Sequence, residues 1–102
     1  MPLTLETPKE RSLQTCLINL ECDQRDGSPA PFATVDIFEV RYFLWWPFYV
    51  WVTSTTLNFY GKGSVYLTRD KTYQFKFKWQ SKVRETYRKP SYCPYYVGVV
   101  LP

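Results

Sequence analysis

The residues of this chain that could do chemistry are three cysteines, nine carboxylates and thirteen cations, and histidine is absent. Without histidine there is no ordinary general base near neutral pH, so Ser- and Cys-type triads lack their centre and Cys/His zinc sites lack their nitrogen ligands. Cys16, Cys22 and Cys93 form no C-x-x-C motif and have no adjacent cation or histidine to activate a thiolate, so they are expected in the core. On one extended strand Cys16 and Cys22 would lie about 20 Å apart, beyond disulfide reach, which leaves a bond from either of them to Cys93 open. Asp23 and Asp26 flank a turn, and Asp36 and Glu39 fall on opposite faces of a regular strand, so neither pair is arranged for acid–base work. The glycines of Gly61-Lys62-Gly63 make a hairpin loop and no phosphate cradle. The chain is therefore expected to be no enzyme, with no catalytic residue, no metal and no cofactor.

Binding chemistry is better represented. Lys82, Arg84, Arg88 and Lys89 close a basic run that begins at Arg69, and they are candidates to contact nucleic-acid phosphates without reading bases. A single-strand binder needs rings and cations on one surface. Strand alternation denies that within Tyr73–Trp79, where Tyr73, Phe75, Phe77 and Trp79 point one way and Lys76 and Lys78 the other. The charge is also uneven: the first fifty residues carry four cations against seven acids, the remainder nine against two. Such halves can attract each other internally or leave a basic face for an acidic partner.

Aromatic residues make up 20% of the chain, enough for both a core and an interface. Two stretches echo each other: Trp45-Trp46-Pro47-Phe48-Tyr49-Val50-Trp51-Val52 and Tyr92-Cys93-Pro94-Tyr95-Tyr96-Val97-Gly98-Val99. Each sets a proline before two rings and a Val-x-Val run. Ile18-Asn19-Leu20 likewise matches Leu57-Asn58-Phe59, which suggests a duplication with motif 1 about 13–53 and motif 2 about 54–102. Two stacked motifs would leave a crevice between them, and Trp45, Trp46, Tyr49, Trp51, Tyr92, Tyr95 and Tyr96 are the residues expected to bind a peptide there. The expected partner is a protein or peptide segment, with nucleic acid as the alternative. The apolar run from Tyr42 to Val52 is too short for a membrane-spanning helix and is expected as a pair of buried strands around Pro47; a membrane is not an expected partner, and an aromatic wedge at a membrane interface is a distant third option for 42–52.

The elements that must hold these residues are mostly strands. Thr7-Pro8-Lys9-Glu10 has the form of a helix start, and Leu13, Cys16, Leu17 and Leu20 continue at helical spacing, while Cys16, Ile18, Leu20 and Cys22 alternate as on a strand. Asp23 to Pro31 reads as a loop. Val35 and Ile37 alternate, then Phe38, Val40, Tyr42 and Leu44 continue one residue out of phase, as a β-bulge produces. Pro47 belongs at an edge, a strand start or a turn. Leu57–Tyr60 and Val65–Leu67 are expected as a hairpin around the glycine loop, Tyr73–Trp79 as an amphipathic strand, Ser81–Lys89 as one or two turns of helix, and Tyr95–Leu101 as a closing strand. The fold class expected is mainly β, or α+β if the N-terminal helix forms, with antiparallel strands in two pseudo-repeated motifs within a single domain, 1–102.

Taken whole, with its Trp-Trp-Pro-Phe-Tyr segment and its Tyr-Cys-Pro-Tyr-Tyr tail, the chain resembles the small orphan proteins of Acidianus filamentous viruses, which infect hyperthermophilic, acidophilic archaea. The resemblance implies a viral protein made in an archaeal cell and resistant to heat, with no activity to carry over to any residue, and a protein or peptide partner that is viral or host. It also implies that intracellular disulfides are less surprising than sparse cysteines would otherwise suggest. The start of the chain has no apolar signal core, so the expected location is host cytoplasm or virion.

Overall fold

Alternation prevails over helical spacing in the first element. Cys16, Ile18, Leu20 and Cys22 are buried on one face of a strand, and Leu17, Asn19 and Glu21 lie on its more open side. The computed structural model describes residues 14–102, so the helix expected from Thr7 lies outside the described residues, and its continuation through Leu20 is replaced by β1 (Thr15–Asp23). After it come β2 (Thr34–Phe43), β3 (Trp46–Thr56), β4 (Lys62–Thr68), β5 (Tyr73–Trp79), β6 (Lys82–Arg88) and β7 (Tyr95–Val100). The fold is mainly β, as the alternation implies.

The strands form two sheets. One has the order β4-β1-β7, with β1 antiparallel to β4 and parallel to β7. The other is fully antiparallel in the order β3-β2-β5-β6. Their apolar faces meet in one core: the buried face of β1, Val35 and Ile37 of β2, Tyr73, Phe75 and Phe77 of β5, and Val97 of β7, sealed by Leu57, Leu67 and Leu101. Burying Phe75 and Phe77 completely contributes roughly 2–3 kcal/mol each by area.

Each half delivers one strand to the first sheet and a hairpin to the second. β1 and β4 pair with each other, β2 and β5 pair with each other, and β3 and β6 lie outermost. Both hairpins close with two-residue loops, Leu44-Trp45 between Phe43 and Trp46, and Gln80-Ser81 between Trp79 and Lys82. Leu44 (φ 58°) and Gln80 (φ 55°) take the left-handed conformation that such tight loops require. β7 has no counterpart in this layout. The two proline-led segments fall on unlike elements, since 46–52 belongs to β3 and 95–99 to β7, in different sheets. A boundary near 53 falls inside β3.

Three local expectations are corrected. Ser81–Lys89 is not helical: Lys82–Arg88 is β6, because a full ladder to β5, from Tyr73–Arg88 to Trp79–Lys82, overrides weak helical patterning. Leu57–Tyr60 is no hairpin strand. The Asn58 side chain accepts bonds from the Tyr60 and Lys62 amides (2.9 and 3.1 Å) and winds the segment into a turn. The run from Tyr42 to Val52 does form paired strands, but they are exposed rather than buried.

Cys16 and Cys93 form a disulfide with Cα atoms 5.3 Å apart, which settles the pairing, and Cys22 remains a buried thiol.

Candidate functional site

The longest hairpin outgrows the sandwich. β2 pairs with β5 only as far as Glu39–Tyr73, whereas its ladder with β3 runs on to Phe43–Trp46. Residues 40–49 are therefore a two-stranded arm beyond the end of β5.

The bulge expected after Ile37 is at that point, but it is built differently. Ile37 pairs with Thr53 and Phe38 with Trp51, so the extra residue is Val52 of β3 and β2 itself stays regular. The apolar residues of β2 consequently change faces: Val35 and Ile37 look into the core, and Phe38, Val40 and Tyr42 look outward. The bulge places Trp51, Tyr49 and Pro47 outward beside them. The arm's other face, continuing the core side of the sheet, carries Glu39, Arg41 and Phe43 opposite Val50, Phe48 and Trp46.

On the outer face at the arm's foot, the rings form an ordered cluster. The Tyr49 and Tyr87 hydroxyls lie 3.3 Å apart, and Gln74 Nε2 donates to Tyr87 at 3.0 Å. Gln74 is only 7% exposed although it points outward, so the surrounding side chains cover it. Trp51 Nε1 donates to Ser54 Oγ at 3.1 Å, and Ser54 donates onward to Asp36 at 2.7 Å. Asp36 also pairs with Lys78 at 2.7 Å, and these two partners hold its carboxyl below the usual carboxylate range. The Trp51 ring is thus tethered by its own nitrogen while 61% exposed. The Tyr87 hydroxyl beside it raises the Tyr49 phenol above its ordinary range.

The arm's tip has no such tethers. Phe43, Leu44, Trp45 and Trp46 are 65–75% exposed, and no charged residue occurs between Tyr42 and Gly61. The nearest charges on the arm are Arg41 and Glu39, joined at 2.9 Å, with Lys71 3.7 Å from the same carboxylate. That hydrogen bond and those two cations lower the Glu39 pKa.

The seven rings expected to line one groove are divided. Trp45, Trp46, Tyr49 and Trp51 share the arm and its foot. Tyr92, Tyr95 and Tyr96 lie around the cis Cys93–Pro94 peptide and the start of β7. Tyr92 and Tyr95 meet at a tilt of 51°, with centroids 4.9 Å apart, and Tyr95 packs on the core. Tyr96 donates to Glu21 at 2.8 Å, an interaction that pushes its phenol up to about 12. No pocket forms between the two groups among the described residues.

No family model matches this chain, and no curated protein matches it either.

Lys82, Arg84 and Arg88 stand opposite Trp79, Phe77 and Tyr73, so they share one face of β6. Arg84 Nε donates to the Val100 carbonyl at 3.1 Å, and Arg88 donates to Tyr87 O and Thr86 Oγ1. Lys89 follows the strand. Of the rings beside them, Tyr73 and Phe77 are buried and Trp79 is half-buried, with its Nε1 donating to the Pro31 carbonyl at 3.0 Å. Sequence reasoning missed Tyr42, Phe43, Leu44 and Phe48 as surface residues, and also Tyr87 and Gln74. The signal available for the first four was the twenty-residue interval without a charge, which is longer than the strands of a core this small require.

Proposed function

We propose that this chain is a non-catalytic binding protein that takes an extended peptide segment, from a viral or host protein, along the free edge of β3, with Tyr49 and Trp51 as anchoring rings. The observation that carries this reading is the contrast between the two edges of one sheet. β6 bears Lys82, Arg84, Glu85 and Arg88, the kind of charges that blunt an edge, whereas β3 runs eleven residues without one. An added strand gains main-chain hydrogen bonds from such an edge, and rings on its outer face supply the side-chain contacts. The two halves are read as related motifs through the correspondences β1 with β4, β2 with β5 and β3 with β6. The 92–96 rings then lie outside the peptide site.

The test is selection from a displayed library of random linear peptides, followed by calorimetry with the enriched sequences. Expected is micromolar or tighter binding that survives high salt and weakens by about tenfold or more in Trp51→Ala or Tyr49→Ala. Enriched peptides that bind both variants as well as they bind the parent would overturn the assignment. So would a preference for single-stranded DNA or RNA that collapses with salt and disappears when Lys82, Arg84, Arg88 and Lys89 become Ala, which would assign the phosphate-binding alternative.

A further inference from the structure

The tip of the arm differs from the peptide edge in one respect that bears on its partner: it is apolar all round. Phe43, Trp46 and Phe48 lie on one face, Tyr42 and Pro47 on the other, and Leu44 and Trp45 cap the end. A protein surface docked on either face would leave the opposite rings in water. A fluid medium that wraps a finger on every side would leave none. From the Tyr42–Pro47 pair to the loop is two or three residues, or about 7–10 Å, which matches the depth to which amphipathic elements enter the headgroup–acyl boundary of a membrane. Tyrosine and tryptophan prefer that zone. Deeper entry is opposed by the hairpin itself, because two strands leave unpaired backbone groups along both edges, and hydrocarbon cannot satisfy them.

The foot of the arm supplies a second, independent indication. The Val40 amide bonds to the Thr72 carbonyl, Glu39 pairs with Tyr73, Tyr73 pairs with Arg88, and the Asp70 amide bonds to the Pro90 carbonyl. These links bring the β4–β5 turn and the end of β6 to the base of the hairpin. Arg41 and Lys71 both reach Glu39 at this base (2.9 and 3.7 Å), and Arg69, Arg88 and Lys89 lie on the segments linked to it, against the carboxylates of Glu39 and Asp70 alone among the described residues linked there. An uncharged aromatic finger rising from a cationic collar has the charge pattern that an anionic lipid surface complements. Leu44 adds a detail of sequence: a leucine holds the left-handed loop position (φ 58°) where Asn or Gly would be less strained.

We propose that the β2–β3 arm is a lipid-surface anchor, with Phe43, Leu44, Trp45 and Trp46 entering the interface of an anionic membrane and the collar cations meeting its phosphates. The proposal stands apart from the peptide site, since it shares only Trp46 with β3 and uses the tip and the collar rather than Tyr49 and Trp51.

The experiment is flotation of the full chain with phosphatidylcholine vesicles, with and without phosphatidylglycerol, read together with tryptophan emission. The protein is expected to float with the mixed vesicles, with a blue-shifted emission, and to dissociate as salt rises. Leu44→Asn is the decisive variant, because it relieves the backbone strain. It should melt no lower than the parent and yet, combined with Trp45→Ser, lose vesicle binding by about tenfold or more. Replacing Lys71, Arg88 and Lys89 with Gln should remove the preference for phosphatidylglycerol while leaving peptide binding unchanged. Absence of flotation with mixed vesicles, or equal flotation of the Leu44→Asn/Trp45→Ser variant, would overturn the proposal. A dimer in vesicle-free solution that the same pair of substitutions dissolves would assign the tip to a second copy of the chain and overturn it as well.

Discussion

Phe38 pairs with Trp51 although its neighbour Ile37 pairs with Thr53, so the ladder passes over Val52. That single unpaired residue decides which rings face outward at the foot of the arm. Without the bulge, a regular β3 would alternate Thr53 inward, Val52 outward and Trp51 inward. Deleting Val52 is therefore expected to restore a regular strand and leave Trp51 and Tyr49 outward, at a cost of no more than about 1 kcal/mol. Deleting Val50 instead, with the Phe43–Trp46 end fixed, should pair Trp51 with Glu39, turn the Trp51 ring to the other face and abolish its bond to Ser54, while Tyr49 stays opposite Val40. Ring contacts of Trp51 and Tyr49 observed by NMR, together with urea midpoints, distinguish the two variants, since Trp51 stays outward only in the Val52 deletion. Loss of the outward Trp51 contacts in the Val52 deletion would refute this account of the bulge.

The disulfide closes a loop across 77 residues, from the start of strand β1 to the segment that leads into β7. Constraining the unfolded chain over that length stabilises the fold by about 4–5 kcal/mol on the chain-entropy view. Cys93→Ala should therefore lower the melting temperature by roughly 20–30 °C in a domain of this size. Cys22→Ala removes no cross-link and should lower it far less. Comparable losses in the two variants would mean that the bond contributes little beyond local packing.

How much of this was legible in the sequence follows from which forces are local. The Tyr73–Trp79 strand is visible because its period-two pattern and its burial coincide: Tyr73, Phe75 and Phe77 are in the core, as the alternation requires. The loop from Asp23 to Pro31 is equally local, with the Asp26 carboxylate accepting from the Ser28 amide and hydroxyl at 3.0 and 2.6 Å. β6 was illegible because its partner decides it; Lys82–Arg88 is a strand by virtue of the β5 ladder, and nothing in its own polarity says so. The arm was misread for a related reason. Hydrophobicity announces burial only when an opposing surface exists, and β5 ends alongside Glu39 while β2 and β3 continue. The candidate rings were found one by one, but their division between two sheets depends on long-range pairing that no pattern within 45–52 or 92–99 encodes.

Gly61 holds a position that only glycine fits. Its φ is 71°, and a Cβ built on it would meet the Cys22 carbonyl oxygen at 2.5 Å. That carbonyl already accepts from the Ala30 amide at 3.0 Å, and the Cys22 amide donates to Gly61 O at 2.8 Å, so the backbone has no room to yield. Gly61→Ala is expected to cost more than about 2 kcal/mol, with strain and clash adding. Gly27→Ala is the control: φ is 91° there, but nothing lies within 4 Å of the added carbon, so only the conformational strain of about 1 kcal/mol applies. Urea denaturation of the two variants would show the difference, and equal losses would mean that the contact at Cys22 relaxes freely.

Stability should fall in alkaline solution in two stages that can be assigned to residues. Burial, aided by the negative Asp23 alongside, pushes the Cys22 thiol up to about 11 from an ordinary value of 9.0. The Tyr96 phenol is pushed up to about 12 from 10.0, chiefly by its hydrogen bond to Glu21. Both groups hold their protons more tightly in the folded chain than in the unfolded one. Above pH 9 the unfolded state therefore loses its thiol proton first, fewer protons are bound there than in the native state, and unfolding becomes more favourable as pH rises. The Cys22 contribution is intact below pH 9 and is exhausted by about pH 11; the Tyr96 contribution is intact below pH 10 and is exhausted by about pH 12. Urea midpoints taken across this range should begin to fall near pH 9 in the parent and near pH 10 in Cys22→Ala, with a flatter profile in Cys22→Ala/Tyr96→Phe. An onset unchanged by Cys22→Ala would mean that this thiol titrates alike in both states, and the burial of Cys22 would then contribute nothing to the alkaline loss.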